Sequence, residues 1–358
     1  MRITVLGAGA GGTAIAFDCA FHGHEVRLFD FPQFSENIAA IDAKKCITAE
    51  GDISGSADIA YAGHDIDEAL KGADLIYVVG PAYSTEPFGR IVSGKLQSGQ
   101  TVIVSPSSCG GALAFKQAAG LALEDDAIRV AETSTLHYAV RLAKPGHIRV
   151  FLKLKAGNLL AALPNRHTND ILQFISDVYP GMEPARSVLQ TSLQNANPII
   201  HPAVTLANAA RIEGAGGDFL FYEEGVSDST GRMIEALDRE RIAIGGKLAL
   251  TIFPDPQMGM RQGYMLEDNY GAAYREAPGF LGIGAQPQLD HRYLNEDVGY
   301  GLVFMSLLAR QVDVETPTMD AVIQLTSVLM NRDYAGEAVR TPEALGIAGY
   351  SARELGSL

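Results

Sequence analysis

Gly7, Gly9 and Gly12 follow a short β-branched run in ITVLGAGAGGTAIAF and open a helical pattern, which gives GxGxxG spacing at a strand-to-helix turn. At such a turn the first glycine permits the tight bend. The second lets a ligand approach the backbone, and the third allows helix and strand to pack closely. With Ala10 and Gly11 completing the turn, the unsatisfied N–H groups of the helix start favour a pyrophosphate. Asp30 ends the next strand-like run, VRLFDF, at the spacing of about 20 residues where an acid meets the ribose. Such an acid accepts hydrogen bonds from adenosine ribose hydroxyls and repels a 2′-phosphate, so these residues together read as a dinucleotide site favouring NAD over NADP. FAD competes for the same fingerprint, but the second half of the chain lacks a flavin-domain pattern. A strand-ending aspartate is also ordinary turn chemistry. In VVGPAYS (residues 78–84), Pro81 and Ala82 stand where a cofactor's ribose and nicotinamide would touch the sheet edge, although a plain strand-ending turn accounts for them equally well.

Reduction of a carbonyl or imine also needs a proton donor, and histidine is the side chain best tuned to that task near neutrality. The chain has eight histidines. His22, His24, His64, His147 and His167 fall in polar loops, turns or helix starts and read as solvated surface. His201 differs, because NANPIIHPAV sets it between Pro198 and Pro202 in an otherwise helical run. The prolines should bend or break that run. If Pro202 opens the next helix, the helix dipole lowers the pKa of His201. Local features alone also fit a packed structural histidine. In HRYLNEDVGYG (residues 291–301), Arg292 offers a planar fork that grips a carboxylate. Asp297 either holds an imidazole in one tautomer or belongs to an acid-rich, capped helix start, and Glu296 reads as such a cap. Arg141 is a second possible cation, or a surface arginine.

The elements that must position these groups divide the chain in two. A length of 358 residues exceeds what one core usually supports. Residues 1–185 alternate apolar runs with helical stretches and predict an α/β Rossmann domain with a doubly wound parallel sheet. Its expected strands are Arg2–Leu6, Glu25–Phe29, residues 74–79 and Thr101–Val104, with residues 148–154 and 159–163 pairing as an edge hairpin around Gly157 and Asn158. Residues 186–358 lose that alternation and predict an all-α substrate domain, with helices over 188–200, 203–212, 231–250, 295–312 and 316–330. Gly- and Pro-rich loops at 214–217 and 278–287 could form a substrate mouth, and the substrate is expected between the two domains.

Composition narrows the partners. Hydrophobic residues make up 47% and charged residues 20%, as in ordinary globular proteins, and the formal net charge of −14 with no basic stripe disfavours nucleic acid. Cys19, Cys46 and Cys109 have neither disulfide-framework nor zinc-site spacing, so no metal is expected. No apolar run approaches the roughly 20 residues of a membrane span, and the start MRITVLGAGAGG reads as strand and turn rather than a signal peptide. The expectation is a cytoplasmic protein. Several apolar helical faces would allow a homodimer.

Beyond the glycine motif, four segments carry a resemblance: AETST (131–135), TSLQNANPIIHP (191–202), DRERIAI (238–244) and RYLNEDVGYGLV (292–303). Together they resemble the opine dehydrogenase family, which includes octopine dehydrogenase, along nearly the whole chain. The bacterial N-(1-D-carboxyethyl)-L-norvaline dehydrogenase type is similar in length. The resemblance implies that an amino acid condenses with a 2-oxo acid such as pyruvate and that the resulting imine is reduced by NAD(P)H. It makes His201 the catalytic acid and base, Asp297 its acidic partner, Arg292 a holder of substrate carboxylate, and Asn197 a neighbour of the substrate. His137, Tyr138 and GAGGDF (214–219) depart from the pattern, so the amino-acid partner is left unnamed. One alternative is a two-domain reductase of a hydroxy acid or sugar phosphate, of the glycerol-3-phosphate or ketopantoate type. Such enzymes use a lysine, and here Lys247 is the sole lysine after Lys155. The other alternative is a non-catalytic dinucleotide sensor.

Overall fold

The computed structural model describes residues 1–358 and divides into two compact units, Met1–Thr191 with Leu358, and Ser192–Ser357. In the first unit twelve strands form in chain order: β1 (Arg2–Leu6), β2 (Glu25–Phe29), β3 (Cys46–Gly51), β4 (Gly55–Asp58), β5 (Tyr61–Gly63), β6 (Leu75–Val78), β7 (Thr101–Val104), β8 (Arg129–Thr133), β9 (Tyr138–Lys144), β10 (His147–Lys153), β11 (Asn158–Leu163) and β12 (Met182–Pro184). Eight of them make one sheet in the order β12-β11-β8-β7-β6-β1-β2-β5. Every neighbouring pair is parallel except β11 with β8. The LIYV of β6 and the TVIV of β7 are buried at all positions, as expected of strands covered on both faces. This is the Rossmann-like sheet, and the glycine turn follows its central β1.

The remaining strands form a second sheet, β4-β3-β10-β9. Here the expected hairpin between residues 148–154 and 159–163 is corrected. β10 pairs antiparallel with β9, in register Ile148↔Leu142, and parallel with β3, whereas β11 lies beside β8 in the large sheet. Burial explains the separation. Ile148 and Val150 of β10 are buried while Arg149 and Phe151 are exposed, the pattern of a strand with one wet face, but all six residues of β11 are buried. The hairpin turn is at Pro145–Gly146, where Gly146 takes φ +73°.

The second unit is helical, its principal helices being Asn197–Ala207, Asp228–Lys247, Val303–Gln311 and Pro317–Met330. The DRERIAI segment is structural. Arg241 and Asp238 are fully buried and paired, Arg241 donates to the carbonyls of Leu193 and Phe253, and Asp238 accepts from Asp255 N and Tyr270 Oη. In the first unit, Glu132 of the AETST segment is likewise buried and accepts from Ala112 N and Thr191 Oγ1.

The break around His201 falls elsewhere than expected. One helix ends at Gln194 and the next starts at Asn197, with Pro198 in its first turn, where no N–H is needed. Pro202 lies inside that helix and opens nothing. His201 is therefore mid-helix, and no helix N-terminus begins beside it.

Candidate functional site

The glycine turn is built by contacts only glycine permits. Gly7 takes φ +108°, and a Cβ there would fall 1.9 Å from the carbonyl oxygen of Val79, just beyond β6. A Cβ on Gly12 would fall 1.8 Å from the carbonyl oxygen of Gly7. Gly9 faces open space, with nothing within 4 Å of a built Cβ, and Ala10 and Gly11 are half-buried beside it. The helix Ala10–Phe21 has no acid in its first turn, so nothing there opposes an anion.

Asp30 is buried one residue past β2, and its two oxygens accept from Ala8 N at 2.7 Å and Phe31 N at 2.8 Å. Burial raises its carboxyl above the usual range, against the two backbone donors, which lower it. Asn37, unmarked by the sequence reading, donates to Ala8 O at 2.7 Å and clamps the turn from the other side. Pro81 is half-buried just past β6, and its carbonyl accepts from Ser84 Oγ at 2.7 Å. The open face at Gly9, the free helix start and the adjacent acid fit a dinucleotide.

In the helical unit the structure brings His201 and Asp297 together. Asp297 begins a π-helical turn, Asp297–Leu302, that packs against the helix Asn197–Ala207. A Cβ on Gly301 would fall 2.5 Å from Cγ of Pro198, so the approach needs glycine. His201 Nδ1 then lies 2.7 Å from Asp297 Oδ2, with the residues 4% and 5% exposed. Asp297 thus contacts the imidazole and also stands in the first turn of the π helix, so both readings of its position describe it. Glu296 stands at the N-cap position of the π-helical turn Asp297–Leu302, where the sequence placed a helix start, but its side chain makes no capping hydrogen bond there. It pairs with Arg292 at 3.7 Å, and the cap of the helix Arg292–Asn295 is His291, whose Nδ1 accepts from Tyr293 N.

Two aromatic residues complete the surroundings of His201, and neither stood out in the sequence. Tyr293 stacks on the imidazole with centroids 3.9 Å apart, and Tyr222 Oη lies 3.0 Å from Nε2. Burial, then the neighbouring Tyr293 and Asp297, hold the Tyr222 hydroxyl well above its usual pKa, so it stays protonated. Tyr222 is carried there by a pairing of residues 219–221, just past the expected loop 214–217, with the loop 278–287: Phe221 N donates to Ile283 O and Ala285 N to Phe219 O. The aromatic run FLFY at 219–222 was the available signal.

Arg292 is half-exposed, its guanidinium 5.8 Å from the ring of the same Tyr293. Asn197 starts the His201 helix, half-buried and one turn ahead on the same face. Of the five histidines read as surface, only His22 and His64 are exposed. His24 pairs with Asp177 at 2.7 Å, His147 bonds Thr48 Oγ1 at 2.7 Å, and His167 is half-buried. Arg141 is exposed on β9, and Lys247 is exposed at the end of its helix.

A neutral imidazole that donates from Nδ1 to a carboxylate presents its lone pair at Nε2. That arrangement can take up and release a proton at Nε2 while the carboxylate stabilises the imidazolium.

Comparison with known proteins agrees with both units. Residues 184–330 match the family model described as NAD/NADP octopine/nopaline dehydrogenase, alpha-helical domain, and residues 2–108 match that of the NAD-dependent glycerol-3-phosphate dehydrogenase N-terminus. The chain is similar to the opine dehydrogenase of Arthrobacter sp. (strain 1C), 35% identical and covering 97% of this chain and 96% of that one. It is also similar to Protein ocs of Agrobacterium tumefaciens (strain Ach5), at 24% identity over 93% of this chain and 92% of that one. The solved octopine dehydrogenase with NADH and L-arginine superimposes with a TM-score of 0.79 at 19% identity, covering 100% of this chain and 98% of that one, which speaks for a shared fold.

Proposed function

The chain belongs to the opine dehydrogenase family and is an NAD-dependent oxidoreductase acting on CH–NH donors, and from that premise we propose that it joins an amino acid to a 2-oxo acid such as pyruvate. The observation that carries the reading is the His201–Asp297 contact at 2.7 Å between residues 96 apart. In the balanced reaction an amino acid, a 2-oxo acid, NADH and a proton give a secondary amine dicarboxylate, NAD⁺ and water.

In this reading the residues divide the work as follows. The turn at Gly7, Gly9, Ala10, Gly11 and Gly12 cradles the pyrophosphate, Asp30 takes the adenosine ribose, and Pro81 borders the cofactor. NADH, when bound, supplies the hydride. His201 is the acid and base: Nε2 supplies the proton that the departing carbonyl oxygen takes up as it leaves as water, and in the reverse direction receives the proton released by the water that adds to the imine. Asp297 holds Nδ1–H and stabilises the charged ring. Arg292 grips a substrate carboxylate, a local cation that a protein of net charge −14 needs for an anionic substrate. Asn197, on the His201 face of the helix, adds a polar contact to the substrate.

No helix is long and apolar enough to cross a membrane. A cytoplasmic homodimer completes the reading, closed over the exposed Leu325, Val328 and Leu329 on one face of the helix Pro317–Met330.

The test follows NADH oxidation with pyruvate and a panel of amino acids. Turnover that needs both substrates supports the reading. Turnover with an oxo acid alone, or cofactor binding without turnover, would overturn it.

A further inference from the structure

The nitrogen that the proposed chemistry needs is already engaged, since the Tyr222 hydroxyl lies 3.0 Å from Nε2 of His201 and has no other hydrogen-bond partner in the protein. With Nδ1 donating to Asp297, the neutral imidazole can only accept at Nε2, so Tyr222 donates to it. Aromatic side chains pack the phenol ring. Phe280 stacks on its ring at 4.2 Å and Phe221 packs at 5.0 Å.

We infer that Tyr222 is a further catalytic residue that keeps Nε2 of His201 unprotonated until a substrate atom accepts the Tyr222 proton, an inference resting on the acid–base role given above to His201 and Asp297. When Nε2 gains a proton it becomes a donor, and Tyr222 must accept. The phenol proton then turns toward aromatic carbon and is left as a buried, unmet donor, which disfavours the charged ring. A substrate oxygen or nitrogen within reach of Tyr222 removes that penalty. The Nε2 proton can then pass to the phenol oxygen as the phenol proton passes to the substrate, leaving both side chains neutral. No other bond changes.

Among the charged and titratable groups on the elements packed against the His201 helix, only Asp297 and Tyr222 hydrogen-bond its imidazole. The π turn brings Asp297, which holds Nδ1, and the helix Arg292–Asn295 brings Arg292, Tyr293 and, at its cap, His291. The helix Asp228–Lys247 brings Asp238 and Arg241, paired with each other, and Pro317–Met330 brings Asp320, tied to Arg310.

The experiment measures proton uptake at His201 in the full-length enzyme by NMR titration of its imidazole, assigned with His201→Asn, with and without pyruvate and NAD⁺. In Tyr222→Phe the inflection of the free enzyme moves up by about half to one pH unit, the loss of one hydrogen bond to the neutral ring, and pyruvate no longer moves it. Placing 3-fluorotyrosine at position 222, a stronger donor and weaker acceptor of nearly the same shape, moves the inflection down. The matching inflection in the pH profile of kcat/KM moves with it. An inflection that neither change moves, or that falls in Tyr222→Phe, overturns the inference. If the Phe variant does not fold, the sign of the fluorotyrosine shift decides alone. Full turnover by His201→Asn would instead overturn the acid–base role itself, whereas an inactive His201→Asn with unmoved inflections in the Tyr222 variants overturns only the role of Tyr222.

Discussion

The Asp30 carboxylate accepts the N–H of Ala8 at 2.7 Å, so the acid expected to read the adenosine ribose also anchors the glycine turn that would hold the pyrophosphate. Two consequences can be separated by measurement. Asp30→Ala removes the charge that repels a 2′-phosphate and should narrow the preference for NADH over NADPH. The same change frees the Ala8 N–H and should weaken NADH itself by roughly tenfold, the equivalent of one lost charge-assisted hydrogen bond. Dissociation constants for both cofactors, from quenching of protein fluorescence, check this. An unchanged ratio would show that Asp30 does not face the ribose.

Asp297→Asn keeps the shape of the pair but removes the charge that stabilises a protonated His201, and its amide can hold the wrong tautomer. Turnover should fall by roughly 10³–10⁴-fold with NADH affinity unchanged, because the glycine turn belongs to the other unit. Steady-state rates at saturating substrates beside a cofactor binding titration would reveal the pattern. A comparable loss in cofactor affinity would count against it.

Arg241→Leu tests the scaffold apart from the chemistry. The variant leaves Asp238 charged and buried, strips the carbonyl of Leu193 of the Arg241 donor, and leaves that of Phe253 with Gln194 Nε2 alone. The expected loss is about 3–5 kcal/mol, or roughly 10 °C in Tm for a unit of this size. Thermal unfolding monitored by circular dichroism measures it, and a loss within about 0.5 kcal/mol, the range of surface changes, would refute it.

His137 carries a pH dependence. Burial, then the nearby Lys153, holds its imidazole down at about 3 instead of 6.5. Below pH 6.5 the unfolded chain takes up a proton that the folded chain refuses, so stability is intact above that value and declines as the pH falls toward 3. His137→Gln should flatten the decline of the urea midpoint between about pH 7 and pH 4. Parallel curves for the two proteins would disprove the assignment.

Much of this molecule is written locally. Strands β1, β2 and β7 occupy the spans their apolar runs predict, and the glycine turn follows β1 as its spacing requires, because side-chain period and turn chemistry act over a few neighbours. The split between an α/β and an all-α half is legible for the same reason.

What sequence alone left open involves partners far apart in the chain. Which strand pairs with β10 was settled by burying all of β11 in the large sheet, an outcome of packing that no local pattern states. Pro202 was expected to open a helix, yet it lies within one, where the surrounding packing outweighs the missing N–H. Asp297 reached His201 through a π turn fitted against Pro198, and Tyr222 reached it through two loops paired with each other. Residue types announced an acid and a base; their meeting depended on three-dimensional packing, because a hydrogen bond forms only at about 3 Å and that distance is set by the whole helical unit.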